Sequence, residues 1–188
     1  MSESVLIALP SSLYLSSFSK AIAKIFKGRA KVSQLRENIV LLEIFQREDM
    51  PILKASFPAL KEEISPLLKG LILPLNDPER YVSYLPKVEK GTLVTLFRLA
   101  SKHPEIYDES YPLLEGFDDD MLKTVEAYLE NSSSPLFASY SLYVHRNTVT
   151  YRMKTFEERT GFALEDFSNQ MFLDCLIHQY LDNKQEIE

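Results

Sequence analysis

Residues 134–161 leave this chain little conformational choice. Ser134-Pro135 joins an N-cap hydroxyl to a first-turn proline, which predicts a short helix running to about Leu142. A second helix is expected from His145 to Thr160, stopped at Gly161, where a left-handed residue without a Cβ ends a helix at least strain. Val149, Met153, Phe156 and Thr160 recur at the spacing of one face of that second helix. Arg146, Asn147, Thr150, Tyr151 and Lys154 occupy the opposite arc, and none of them is a carboxylate. Two short helices joined by a tight connection around Tyr143 and Val144, with polar residues at the start of the second, is the grammar of a helix-turn-helix.

Charge sharpens this reading. The chain carries a net charge of −6, which argues against nucleic-acid binding by its surface as a whole. Residues 118–188 hold 6 Lys+Arg against 13 Asp+Glu. Four of those six cations, Arg146, Arg152, Lys154 and Arg159, fall in the second helix, so positive charge is an island in an acidic segment.

Upstream, the pattern predicts a small sheet with covering helices. Val5 to Leu9 reads as a buried strand, and Leu15, Phe18, Ile22, Ile25 and Phe26 as the inner stripe of a helix stopped at Gly28. Lys20, Lys24 and Lys27 fall outside that stripe as a solvated face. Lys31–Leu35 and Ile39–Phe45 form a hairpin through Arg36-Glu37-Asn38. A helix from Met50 to about Ile64 follows, kinked by Pro58 or starting near residue 57, and then a strand at Leu71–Leu75. Tyr81 to Lys102 is expected to be mostly helical. The prolines, glycine and acids between residues 104 and 117 suggest a linker. The fold class is thus an α+β N-terminal domain (1–103), a linker (104–117) and an all-α helix-turn-helix domain (118–188), with helix predominating. Asp118-Asp119-Asp120 caps the first helix of that last domain, and a final helix spans Asn169 to Leu181. Phe172, Leu173, Cys175, Leu176, Ile177, Tyr180 and Leu181 cover most of its circumference, which suggests burial on two sides, as in a dimer.

No apolar run reaches the roughly 18 residues of a membrane span, and a single cysteine, Cys175, cannot form an internal disulfide, so a cytoplasmic protein is expected. Cys175 reads as a core thiol, and Ser132-Ser133-Ser134 as a linker ending in an N-cap. His103, His145 and His178 sit on separate elements without metal-ligand spacing, and no catalytic residues, cofactor or metal are expected.

The chemistry of the second helix fits a major groove about 12 Å wide, entered by its N-terminal turns. Arg146 can pair with guanine O6 and N7, and Asn147 with adenine, while Thr148 or Tyr151 suits phosphate. Arg152 and Lys154 are placed for backbone charge, Thr150 for a specific contact, and His145 for a cap or a contact. The bland alternative is an amphipathic helix whose polar face is merely wet.

Leu142-Tyr143-Val144-His145-Arg146-Asn147-Thr148-Val149, with Tyr151-Arg152, Glu157-Glu158 and Thr160-Gly161, resembles the C-terminal DNA-binding domain of the PucR/CdaR family of bacterial transcription regulators. Leu122 to Asn131 is similar to the helix that leads into that domain, so the resemblance covers residues 110–182. Phe137 and Thr155 depart from it at positions often polar or basic. The upstream element order resembles the degenerate GGDEF-like region of the same regulators, but only Arg36-Glu37-Asn38 stands where a cyclase signature would lie. The resemblance implies a non-enzymatic, sequence-specific regulator of transcription that binds double-stranded DNA, with room for an unidentified small-molecule effector; the net charge of −6 with so few cations on the contact helix adds the expectation of a homodimer, whose second copy doubles the phosphate contacts. The chain opens directly on a strand, which suits either a short family member or a regulator lacking its usual ligand-binding end. The alternative is a non-enzymatic sensor or assembly protein whose helix-turn-helix no longer binds DNA.

Overall fold

A computed structural model describes residues 3–73 and 78–185. The chain divides into two compact units, Met1–Leu96 and Phe97–Glu188.

The first unit is built on a five-stranded sheet of order β2-β3-β1-β4-β5. β1 (Glu3–Ala8) lies at its centre, antiparallel to both β3 (Ile39–Ile44) and β4 (Lys69–Leu73). The hairpin β2 (Ala30–Arg36) to β3 forms as expected, but its turn is Glu37-Asn38 alone, Arg36 pairing with Ile39, and β5 (Leu93–Thr95) pairs parallel with β4. Because strand side chains alternate, Val5, Ile7 and Leu9 point to one face, where they meet Phe18, Ile22 and Phe26 of α1 (Leu15–Phe26) and Leu53, Phe57 and Leu60 of α2 (Met50–Glu63). Leu6 points to the other face and is equally buried, and β1 is covered there by a 3-10 segment, Pro78–Lys87, that buries Tyr81, Val82, Tyr84 and Leu85. Asp49 stands just ahead of α2 without capping it; buried, its carboxylate is paired instead with Arg29 at 2.7 Å.

Three expectations can be set against these elements, and the last of them needs correction. α2 begins at Met50 and runs through Pro58, so residue 57 is not its start. Pro74 and Leu75, expected to finish the fourth strand, lie outside the described residues. Residues 81–102 are not one helix: the 3-10 segment, β5 and the short α3 (Leu96–Ala100) share them. β5 is only three residues long and depends on a distant partner. Gly70 permits that pairing, because a Cβ there would meet Leu93 Cδ1 at 2.5 Å.

The second unit is helical: α4 (Glu105–Ser110), α5 (Asp119–Glu130), α6 (Pro135–Ser141), α7 (Arg146–Thr160) and α8 (Phe167–Gln185). The boundary between units therefore falls ahead of residues 104–117, and those residues are largely helical. Ile106, Tyr107, Leu114 and Phe117 are buried, and Tyr107 stacks on Phe172 of α8 with ring centroids 5.2 Å apart. Pro104 and Pro112 start short helical turns, a role in which a missing N–H costs nothing.

The apolar girdle of α8 is also filled from within the chain. Phe172, Leu173, Leu176, Ile177 and Leu181 are buried without a second copy, against α4 and α5 among others. Burial and contact with half-buried Cys175 push the Tyr107 phenol above its usual range. Near the end of α8, Lys184 Nζ donates to Asp119 Oδ1 at 2.6 Å, and this bond, then the ammonium charge, hold the Asp119 carboxyl below its ordinary value. A depressed carboxyl contributes stability above its unfolded value, near 3.8 here, and loses it as pH falls through the folded value. Amide exchange in the last turn of α8 should accordingly quicken under acid before the core of α5 does, and Lys184→Met should abolish the difference.

Candidate nucleic-acid interface

α5, α6 and α7 pack on one another as three short helices with well-formed caps. Asp118 accepts from the Met121 N–H at 2.7 Å and Ser134 from the Phe137 N–H at 3.4 Å. Ala138 and Ser139 are buried where α6 meets α7, small enough for close approach. The connection is made by Val144 N–H donating to the Ser139 carbonyl at 3.1 Å, with Tyr143 in the left-handed region at φ 55°.

α7 starts and stops where its local signals placed it. His145 is the N-cap: its Nδ1 accepts from the Asn147 N–H at 3.1 Å, which leaves Nε2 to carry the outward donor of a neutral ring. Gly161 takes φ 76° as the C-cap, and its N–H bonds the Glu157 carbonyl. Val149, Met153, Phe156 and Thr160 are buried, and the Phe156 ring lies 5.1 Å from that of Phe117.

The opposite arc sorts the expected contact residues into two groups. His145, Arg146, Asn147, Thr150, Tyr151 and Lys154 are exposed, and Thr148 is half-buried beside them. Thr150 Oγ1 donates back to the Arg146 carbonyl at 3.2 Å, leaving its lone pairs outward, and Lys154 lies 3.8 Å from Glu158. Arg152 is not part of this arc. Its Nη1 donates to Thr124 Oγ1 at 2.8 Å and to the Asp120 carbonyl at 3.2 Å, and its Nη2 stands 3.5 Å from Asp120 Oδ2. The fourth cation, though exposed, is engaged on its own unit as well: Arg159 lies 3.8 Å from the centre of the Phe117 ring and donates to the Gly116 carbonyl.

Two of the four cations on α7 thus fasten the helix to residues beyond it, and the other two, Arg146 and Lys154, are exposed without a partner outside α7 among the described residues. Glu157 does fastening work too, its carboxylate accepting from the Leu164 N–H at 2.7 Å. Sequence reasoning missed these three roles, because each partner lies on another element or beyond the helix end. Arg152→Ala should lower the stability of this unit by about 1–2 kcal/mol in urea denaturation, by removing charge-assisted bonds that are only partly screened. Arg152→Lys should recover little of it, since an ammonium cannot span both Thr124 and Asp120.

Chemically, the outward arc is a donor-rich surface led by a helix N-terminus. Two fixed cations, an amide, a hydroxyl, a phenol and an imidazole N–H can address phosphate oxygens and base edges. The same residues offer no nucleophile paired with a base.

Residues 121–178 match the family model of the PucR C-terminal helix-turn-helix domain. YxkF, an uncharacterized protein of Bacillus subtilis (strain 168), is 27% identical over 100 residues, spanning 49% of this chain and 34% of that protein. The proline-responsive transcriptional activator PutR of the same organism is 34% identical over 79 residues, spanning 39% of this chain and 19% of PutR. The carbohydrate diacid regulator of Escherichia coli (strain K12) is 35% identical over 51 residues, spanning 27% of this chain and 13% of the regulator. The chain therefore spans about a third or less of the length of each of these relatives.

Proposed function

From the premise that this chain carries a PucR C-terminal helix-turn-helix domain, we propose that it is a DNA-binding regulator of transcription that reads the major groove with α7. The observation that carries the reading is the division of α7: Val149, Met153, Phe156 and Thr160 hold it, while His145, Arg146, Asn147, Thr150, Tyr151 and Lys154 face outward from its N-terminal two-thirds. Arg146 and Asn147 are assigned to base edges. Thr148, Tyr151 and Lys154 are assigned to phosphates or to the outer base edges, Thr150, whose lone pairs face outward, to a donor on a base edge, and His145 offers its Nε2 hydrogen at the groove. Arg152 is assigned to holding α7 at its angle on α5, so that its effect on DNA is indirect.

The chain acts as a homodimer in this reading. Two outward cations on a molecule of net charge −6 give weak attraction to a polyanion, and a second copy doubles the phosphate contacts. Two copies of α7 one helical turn of DNA apart, about 34 Å, require a site with two-fold symmetry. The protein is non-enzymatic and works in the cytoplasm in this reading. No helix among the described residues is long and apolar enough to cross a membrane.

Selection from random-sequence duplexes at low salt tests the proposal. Enrichment of a palindromic site is the expected result. Recovery of no site, with the protein folded and dimeric, would instead support an assembly role.

A further inference from the structure

We infer that Tyr143 is a further DNA contact, its phenol hydroxyl donating to a phosphate oxygen at the groove edge; this rests on the DNA-binding reading above. Tyr143 is 96% exposed, more than any other large hydrophobic side chain among the described residues. Its backbone N–H bonds the Tyr140 carbonyl at 3.4 Å, but its side chain makes no hydrogen bond or ring contact with any described residue. Its φ of 55° is one that glycine or asparagine adopts readily and a bulky side chain resists. The other described non-glycine residues with positive φ are Lys27, Ser132 and Ser133, none of them aromatic.

A tyrosine here neither packs the unit nor eases its turn. Folding alone favours a smaller residue: the left-handed turn that ends α6 is closed by backbone bonds, Val144 N–H to the Ser139 carbonyl and Tyr143 N–H to the Tyr140 carbonyl, which glycine or asparagine would make at less cost, so the exposed phenol points to a use outside the fold. The position indicates the target. Tyr143 stands two residues ahead of the N-cap His145, and so at the mouth of the helix whose first turns carry Arg146 and Asn147. When such a helix leads into a major groove, the turn before it lies over the wall of the groove, where phosphates rather than base edges are presented. A phenol can donate to a phosphate oxygen in a charge-assisted bond without adding a cation. α7 has only two outward cations, so neutral donors around its start must share the anchoring.

The test uses the full chain, the duplex recovered by selection and an unrelated duplex of equal length, in fluorescence anisotropy at low salt. Tyr143→Phe should weaken binding about three- to tenfold on both duplexes by a similar factor, since a phosphate contact carries no sequence information. Tyr143→Gly should weaken it at least as much, with a melting temperature no lower than that of the unsubstituted protein. Unchanged affinity in both variants, with Arg146→Ala still impaired, overturns the role of Tyr143 and leaves the DNA-binding reading standing. Loss in Tyr143→Gly but not in Tyr143→Phe overturns the hydroxyl–phosphate assignment. A changed sedimentation coefficient with unchanged DNA affinity places Tyr143 in a protein contact instead and also overturns it. Failure of the unsubstituted chain to bind any duplex overturns the inference together with the reading beneath it.

Discussion

Phe156→Ala should destabilise the helical unit by about 3–5 kcal/mol, measured by urea denaturation followed by circular dichroism. The ring is fully buried on the inner face of α7 and meets Phe117, which itself carries the Arg159 guanidinium on its face. Removing it opens a cavity and also loosens the platform on which Arg159 rests, so the loss should sit toward the upper end of that range. Phe156→Leu, which keeps most of the volume, should lose less than about half as much. DNA affinity should fall with stability in both variants and recover where a higher protein concentration or a bound duplex restores the fold.

Arg146→Ala should leave stability within about 0.5 kcal/mol of the unsubstituted protein and weaken binding to the selected site by about 1–3 kcal/mol. Its guanidinium is exposed and makes no ion pair or hydrogen bond with a described side chain, so nothing in the fold depends on it. A bidentate pair with guanine carries both affinity and base discrimination. Lys154→Ala should behave differently. Lys154 shares its charge with Glu158 and stands further along the helix, so its removal should mainly flatten the dependence of affinity on salt. Filter binding on the selected site at several salt concentrations separates the two.

What was legible in the sequence follows from the range of the forces involved. α7 was legible to the residue, because its cap, its stop and its buried face at positions 149, 153, 156 and 160 are all set within the helix and its flanks. The hairpin and the first strand were legible for the same reason, being apolar runs closed by local breakers, while the fourth strand was legible only in its apolar stretch Leu71–Leu73 and not in its start at Lys69. β5 was not. It is three residues long, and its partner lies across the sheet at Gly70–Ile72, so no local period announces it. Residues 104–117 misled because prolines and acids resemble a linker, whereas Ile106 and Leu114 belong to the helical core. The roles of Arg152 and Arg159 depend on atoms 28 and 43 residues away, which no pattern along one helix reveals. A cation on an otherwise outward arc looks available until the neighbouring helix is in place.

Whether the N-terminal arc of α7 reads bases is tested by a double-mutant cycle. The affinities of the unsubstituted chain and of Arg146→Ala are measured on the selected duplex and on a duplex with the contacted guanine pair replaced. Base reading by Arg146 gives strong coupling: either change alone weakens binding about tenfold, and both together weaken it scarcely more. Additive losses, with Arg146→Ala discriminating between the two duplexes as well as the unsubstituted chain does, would contradict it.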